Sequence, residues 1–85
     1  MTVKVLFFAS LREQVGTARE ELELPPGVAT VAALRAHLMA RGGAWQSSLA
    51  ANKALRVAVN QELAQPTTRV KAGDEVAFFP PVTGG

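Results

Sequence analysis

The chain has 85 residues, of which 48% are hydrophobic and none is cysteine, so disulfides, thiolate metal sites and a cysteine nucleophile are excluded. Nine Lys and Arg residues stand against seven Asp and Glu residues, and the net charge of +2 is spread without a basic block, which argues against a nucleic-acid partner. No apolar run reaches the ~18 residues of a membrane span, and Met1–Lys4 lacks the features of a signal peptide. These features predict one small cytoplasmic domain without a membrane partner.

The first two strands are predicted from alternation, with a short helical turn between them. Residues 3–9 are rich in β-branched and aromatic side chains. The side of this strand that is expected to face inward carries Val3, Val5 and Phe7. Ser10 and Glu13 match a capping box, so a helix is expected to begin there and to end at Gly16. Residues 19–24 alternate as a second strand, with three carboxylates expected on a solvated face: Glu20, Glu21 and Glu23.

The main helix is predicted in the middle of the chain. It begins after Thr30, which has the side chain of an N-cap, and extends to about Arg41. Its apolar residues recur at helical spacing: Val31, Leu34 and Leu38. The segment that follows, with Trp45 and Leu49, is expected to be a loop.

Two further strands complete the pattern. Residues 55–60 alternate, and after a loosely patterned stretch and a turn at residues 71–74 the last strand covers residues 75–79. In that strand Val76 and Phe78 are expected inward and Phe79 outward. The order of elements predicts an α+β fold of the β-grasp, ubiquitin-like kind, with a mixed sheet of four or five strands packed on one main helix over residues 1–79.

The sequence offers little for catalysis within the domain. His37 is the only histidine and has no partner for a dyad or a metal site, so we expect a helix surface residue. Ser10 is explained by capping and has no identifiable base. The glycine spacing matches no phosphate-binding or dinucleotide-binding loop. We therefore expect this chain to bind no metal and no cofactor.

The last six residues, 80–85, are predicted to form a tail that projects from the domain. Pro80 and Pro81 stiffen its beginning and cannot continue a sheet ladder. Gly84 and Gly85 lack side chains, so this backbone can enter a narrow channel. A terminal carboxylate is ionised at neutral pH and is a poor electrophile, so it would need activation, for example as a mixed anhydride with AMP. The alternative is a frayed end without function.

Aromatic side chains are predicted on the wetter face of the sheet. Phe8 and Phe79 fall on that face, and they should be neighbours because the first and last strands of a β-grasp sheet are adjacent. Leu6, Ala58 and Leu63 would extend the apolar area. An exposed apolar area of this kind is typical of a protein interface, and the alternative is that one ring only covers the sheet edge.

Three segments carry a resemblance to a known family. They are 5-VLFFASLRE-13, 59-VNQ-61 and 73-GDEVAFFPPVTGG-85, and the last of them is highly specific. In these segments, and in its length, the chain resembles the small subunits of molybdopterin synthases, which are ubiquitin-like sulfur carriers. Residues 41–54 match no diagnostic motif of that family.

The resemblance implies a mechanism and partners. An E1-like adenylyltransferase would use ATP to adenylate the carboxylate of Gly85, and a sulfur donor protein would convert it to a thiocarboxylate. The tail with Gly84 and Gly85 would then enter the large subunit of a heterotetramer of two small and two large subunits, where the sulfur reaches a cyclic pyranopterin precursor. By the same resemblance Phe8, Leu63 and Phe79 are interface residues, and Arg12 helps to hold the partner.

Two alternatives remain open from the sequence. One is a related sulfur carrier that serves thiamine or another thiolated product. The other is a ubiquitin-like modifier that is joined through Gly85 to lysines of target proteins.

Overall fold

The computed structural model describes residues 2–50 and 54–81, so the predicted reactive residues Gly84 and Gly85 lie outside the described residues. Within that part of the chain the elements follow in the order β1 (Thr2–Phe7), α1 (Ala9–Val15), β2 (Arg19–Glu23), α2 (Val31–Met39), α3 (Gly43–Leu49), β3 (Arg56–Val59), β4 (Glu62–Leu63) and β5 (Glu75–Phe79). None of the helices in the described ranges has both the length and the apolar character that crossing a membrane requires.

The five strands form one mixed sheet in the order β2-β1-β5-β3-β4. The central pair, β1 and β5, is parallel, while β1–β2, β3–β5 and β3–β4 are antiparallel. A parallel pair needs a long crossover connection, and here the connection contains α1, α2 and α3. The predicted α+β, β-grasp architecture is therefore confirmed, with the first and last strands side by side.

One face of the sheet packs against the helices and forms the core. The strands contribute side chains at alternate positions, as the pleat of a strand requires. The sheet residues of the core are Val3, Val5, Phe7, Val57, Val76 and Phe78. The inward side of α2 contributes Val31, Leu34 and Leu38, each no more than 2% exposed. The sequence prediction of which residues face inward is confirmed for both elements.

The beginning of α2 is also as predicted. Thr30 has an extended backbone, and its hydroxyl oxygen accepts a hydrogen bond of 3.1 Å from the backbone N–H of Ala33. This side-chain cap satisfies one of the free N–H groups of the first turn. The helix ends at Met39, two residues earlier than predicted, and Arg41 lies beyond it.

The capping box predicted for α1 is wrong. The N-cap is Phe8, which makes no side-chain cap hydrogen bond, and Ser10 is the second residue of the helix. The start is set by the sheet instead, because the N–H of Phe8 donates to the carbonyl of Phe78 at 3.3 Å while its own carbonyl accepts from Arg12 at 3.3 Å. Gly16 ends the helix with φ +81°, as predicted.

The loop predicted around Trp45 and Leu49 is wrong as well, since these residues belong to α3. Gly42 is the N-cap of α3 and Gly43 is its first residue, with φ values of +77° and +56°, which glycine adopts without steric cost. Leu49 is fully buried. The rings of Trp45 and Phe7 meet edge to face, with their centroids 5.3 Å apart. The seven residues of α3 contain only one other large apolar side chain besides Leu49, so no helical periodicity was visible.

A polar network at the ends of β3 and β5 holds these two strands in register. The Asp74 carboxylate accepts hydrogen bonds from the side chain of Asn60 at 3.1 Å and from the backbone N–H of Lys71 at 2.9 Å. The Asn60 carbonyl oxygen accepts from the N–H of Glu75 at 3.0 Å. Asn60 and Gln61 form the two-residue turn between β3 and β4, with φ values of +52° and +70°, as in tight hairpin turns of primed type.

Candidate functional site

The uncovered face of the sheet carries an apolar row that crosses four strands. Leu6 on β1 is in register with Ala77 on β5, Ala77 with Ala58 on β3, and Ala58 with Leu63 on β4. Leu63 is 74% exposed at the edge of the sheet, whereas the small central residue Ala77 is only 9% exposed. We call these four residues the outer row.

Two phenylalanines extend the outer row toward the end at which β5 leaves the sheet. Phe8 follows the residue that pairs with Phe78, so it stands beside Phe79. Phe8 is 46% exposed and Phe79 is half-buried. The outer row together with Phe8 and Phe79 is called the outer patch below. The structure thus brings Phe8 and Phe79 together, and it places Leu63 on the same face across two further strands, about 10 Å from β5.

The corner between β1 and α1 fixes the position of Phe8. Ala9 has a φ of +55°, which is unfavourable for a residue with a Cβ, and it turns the chain from the strand directly into the helix. Arg12 lies one helical turn later and is exposed. Its backbone is bound to the carbonyl of Phe8, so the fold places it near the outer patch. Its role in holding a partner stays a prediction.

Charged residues border the outer patch. Arg19 on β2 and Arg56 on β3 are the register partners of patch residues on β1 and β5. Toward the other end of the strands, Lys4 on β1 is in register with Glu21 on β2 and with Glu75 on β5. An apolar centre with a charged rim is the usual anatomy of a protein interface.

The outer patch adjoins the exit of the chain. Phe79 is the last residue of β5, and the half-buried Pro80 and Pro81 follow it without regular structure. Residues 82–85 lie outside the described residues, so the division into a domain of residues 1–79 and a projecting tail of residues 80–85 stays a prediction. The outer patch therefore lies beside the point at which the chain leaves β5.

Glu20 corrects the prediction of a uniformly solvated face on β2. Arg41 donates two hydrogen bonds to its carboxylate, and the Arg41 guanidinium also lies 4.5 Å from the ring centroid of Trp45. The hydrogen bonds from Arg41 lower the pKa of Glu20, and those to Glu20 raise the pKa of Arg41. Glu21 and Glu23 are exposed, as predicted. The pair ties β2 to the α2–α3 turn and lies away from the outer patch.

The described residues contain no candidate metal site. Among them, no group of three or more His, Asp or Glu side chains is placed to hold a metal ion. His37 is half-buried on α2 and Ser10 is an exposed residue of α1. The expectation that this chain binds no cofactor stays a prediction.

Comparison with known proteins places these features in a family. The family model described as "ThiS family" matches residues 5–85. The chain belongs to the ThiS family. Two relatives of known name are each aligned with 98% of this chain and 99% of their own length: the molybdopterin synthase sulfur carrier subunits of Haemophilus influenzae, 47% identical over 83 residues, and of Escherichia coli, 49% identical over 83 residues.

A solved structure supports the fold of this ThiS-family chain independently. The crystal structure of SAMP1 from Haloferax volcanii superposes with a TM-score of 0.81 at 30% sequence identity, and the alignment covers all of both chains. The overlap therefore includes the outer sheet face and the parallel pair of β1 and β5.

Three features of this ThiS-family chain were not predicted from its sequence: helix α3, the Glu20–Arg41 pair and the Asn60–Asp74 network. The last had a local signal, since an Asp after Gly73 and an Asn after a strand are typical turn residues.

Proposed function

We propose that this chain is the sulfur-carrier subunit of a molybdopterin synthase and acts in molybdenum cofactor biosynthesis. The observation that carries the proposal is the near-full-length identity of 47% and 49% with two sulfur carrier subunits of that enzyme. The Gly84–Gly85 ending and the outer patch beside the exit of β5 are what such a carrier needs.

The chemistry of the proposal takes place at the carboxylate of Gly85. An E1-like adenylyltransferase joins this carboxylate to AMP from ATP, with release of pyrophosphate, and so supplies a good leaving group. A sulfur donor protein then delivers sulfide-level sulfur to the carbonyl carbon: a C–S bond forms, the C–O bond to AMP breaks, AMP leaves, and the product is a thiocarboxylate. The chain has no cysteine, so no thiol of its own is available to carry the sulfur. The adenylate and the thiocarboxylate follow from the resemblance and are part of the proposal.

The outer patch is the proposed docking face for the large subunit. Phe8 and Leu63 expose large apolar side chains, which is costly in water unless a partner covers them. Phe79 joins the patch to the tail, so a partner seated on the patch receives the tail in a defined direction. In this arrangement Arg12 adds a charge contact at the β1–α1 corner. The active site itself belongs to the large subunit, where the sulfur is transferred to the pyranopterin precursor.

The first experiment is the intact mass of the chain after incubation with activating enzyme, ATP and a sulfur donor. A mass increase equal to the difference between sulfur and oxygen, mapped to Gly85, supports the carrier function. A variant with one residue added after Gly85 is the matched control, because it keeps the fold and displaces the reactive carboxylate. If the unmodified carboxylate is the only species found, the carrier function is wrong.

A protein modifier is the second candidate, and one observation favours it. The solved structure with a TM-score of 0.81 is SAMP1, and a second structure from the same organism is that of small archaeal modifier protein 1. In that function the adenylated Gly85 would form an isopeptide bond with a lysine of a target protein. Conjugates that survive reducing agents and disappear when Gly85 is deleted would support this candidate.

A further inference from the structure

Two arginines stand on opposite sides of the outer patch, near the end where the chain leaves β5. Arg19 on the edge strand β2 is in register with Leu6, and Arg56 on β3 is in register with Phe79. Residues that are in register on adjacent strands point to the same face of a sheet, so both side chains belong to the outer face. The strands β1 and β5 lie between them, which separates β2 from β3 by about 14 Å. We call Arg19 and Arg56 the flanking arginines.

Neither flanking arginine is neutralised within the described chain. Both residues are exposed, and the ion pairs found among the described residues involve other side chains. The residues in register with the flanking arginines are apolar, so neither guanidinium has a carboxylate directly opposite it. Two full positive charges therefore border the apolar patch without a counter-charge from the described part of this chain.

The other end of the outer face carries carboxylates instead. Glu21 and Glu75 are in register with Lys4 on its two neighbouring strands, and Glu23 is in register with Thr2. Lys4 thus has two acidic register partners, whereas the flanking arginines have none. On the outer face of the described strands, the charge is therefore positive beside the exit of β5 and negative at the far end.

A partner that covers the outer patch also reaches the flanking arginines. Each of them neighbours a patch residue on the next strand, at a strand spacing of about 5 Å. A guanidinium that a partner shields from water without a counter-charge loses solvation, and this cost weakens binding. A carboxylate of the partner offsets the cost through charge-assisted hydrogen bonds, which are often bidentate for arginine. The face therefore fits a partner with acidic groups on both sides of an apolar centre.

We propose that the large subunit presents carboxylates to Arg19 and Arg56, on the two sides of the site that receives the tail. These contacts fix the orientation of the chain on its partner, since complementary charges set the register of an interface. The carboxylates at the far end of the outer face repel the same acidic groups, so the reversed orientation is disfavoured. The inference rests on the proposed function, and it adds two residues that determine specificity to the predicted contact of Arg12.

The test is the Kd of the complex with a purified large subunit, measured by isothermal titration calorimetry. Arg19→Gln and Arg56→Gln should each raise the Kd about five-fold at low ionic strength, and the double variant about 25-fold. Raising NaCl from about 50 mM to about 500 mM should weaken the unmodified chain at least about ten-fold and the double variant less than about three-fold. Arg69→Gln is the matched control, because it removes the same charge where Arg69 pairs with Thr30 at the beginning of α2, and it should change the Kd less than about two-fold.

Charge reversal and a second partner complete the test. Arg56→Glu should raise the Kd at least about 30-fold, because it places like charges together. If the unmodified chain binds the large subunit and both flanking variants bind as the Arg69→Gln protein does, the proposed function stands and this inference is wrong. If the unmodified chain does not bind, the proposed function is wrong and the inference fails with it. Weaker binding of the variants to the activating enzyme alone would also overturn the assignment of the flanking arginines to the large subunit.

Discussion

The two faces of the sheet contrast most sharply at two adjacent residues, Phe78 and Phe79. Phe78 points into the core, where it is 1% exposed and stacks on Phe7 with ring centroids 6.3 Å apart. Phe79 points to the other side and joins the outer patch, which has no cover in the described chain. One strand therefore serves the stability of the domain on one face and the proposed partner on the other. A substitution on β5 should affect one of these properties at a time.

The largest expected effect is on the inner face. Phe78→Ala removes a buried ring from the centre of the core and should lower the free energy of unfolding by about 3–5 kcal/mol, because it loses burial and leaves a cavity. Urea denaturation followed by the fluorescence of Trp45 measures this. Phe79→Ala is the matched control and should lose less than about 1.5 kcal/mol. Equal losses in the two variants would contradict the division between the faces.

The next effect is on the outer face. If the proposed docking is right, Phe79→Ala should weaken binding to a large subunit by about 2 kcal/mol, or roughly 30-fold, since a buried aromatic at the centre of an interface is a typical hot spot. Isothermal titration calorimetry measures the affinity. Phe8→Ala should act in the same direction. Unchanged affinity in both variants would move the docking face away from the outer patch.

The sequence predicted the inner face better than the outer one. Alternation in β1 and β5 and helical spacing in α2 were enough to assign the buried residues, because burial follows directly from these two periods. The start of α1 was missed because it depends on a hydrogen bond from Phe8 to Phe78, two residues that are distant in the chain. Helix α3 was missed because it is held by contacts such as Trp45 on Phe7 rather than by its own pattern.

A smaller effect is expected at the polar end of the sheet, outside both faces. The backbone N–H of Lys71, and then the Asn60 side chain, lower the pKa of Asp74. A carboxylate with a lowered pKa stabilises the fold above its unfolded pKa, near 3.8, and this contribution is lost as the pH falls through the folded value. Asp74→Asn should cost about 1–3 kcal/mol at pH 6. It should also reduce the loss of stability that occurs as the pH falls below the unfolded pKa of Asp74.

Denaturant midpoints at several pH values check this prediction. Glu20→Gln is the necessary control, because Arg41 lowers the pKa of Glu20. The Glu20–Arg41 pair therefore also stabilises the fold at neutral pH and loses this contribution in acid, as Asp74 does. The Glu20–Arg41 pair is partly exposed and should contribute less than about 1 kcal/mol to the free energy of unfolding. If the stability of the Asp74→Asn protein depends on pH in the same way as that of the unmodified chain, the charge of Asp74 does not contribute to the network.

The smallest effect is expected in the turn between β3 and β4. Gln61 has a φ of +70°, so Gln61→Gly should relieve strain and raise the free energy of unfolding by about 0.5–1 kcal/mol. Affinity for a large subunit should stay the same, since the turn lies outside the outer patch. Thermal denaturation measures the stability, and a lower midpoint would mean that the Gln61 side chain makes a contribution of its own.

The parallel pairing of β1 with β5 has a consequence for folding kinetics. The strand that lies in the middle of the sheet is the last one in the chain, and it pairs with the first across about 70 residues. Without β5 the sheet separates into two antiparallel pairs of strands, β1–β2 and β3–β4, and isolated two-stranded sheets are marginal in water. Closure of that long loop should therefore limit the folding rate. A chain in which β5 has not yet docked would have no continuous outer patch, so a partner that recognises the patch would select only fully folded molecules.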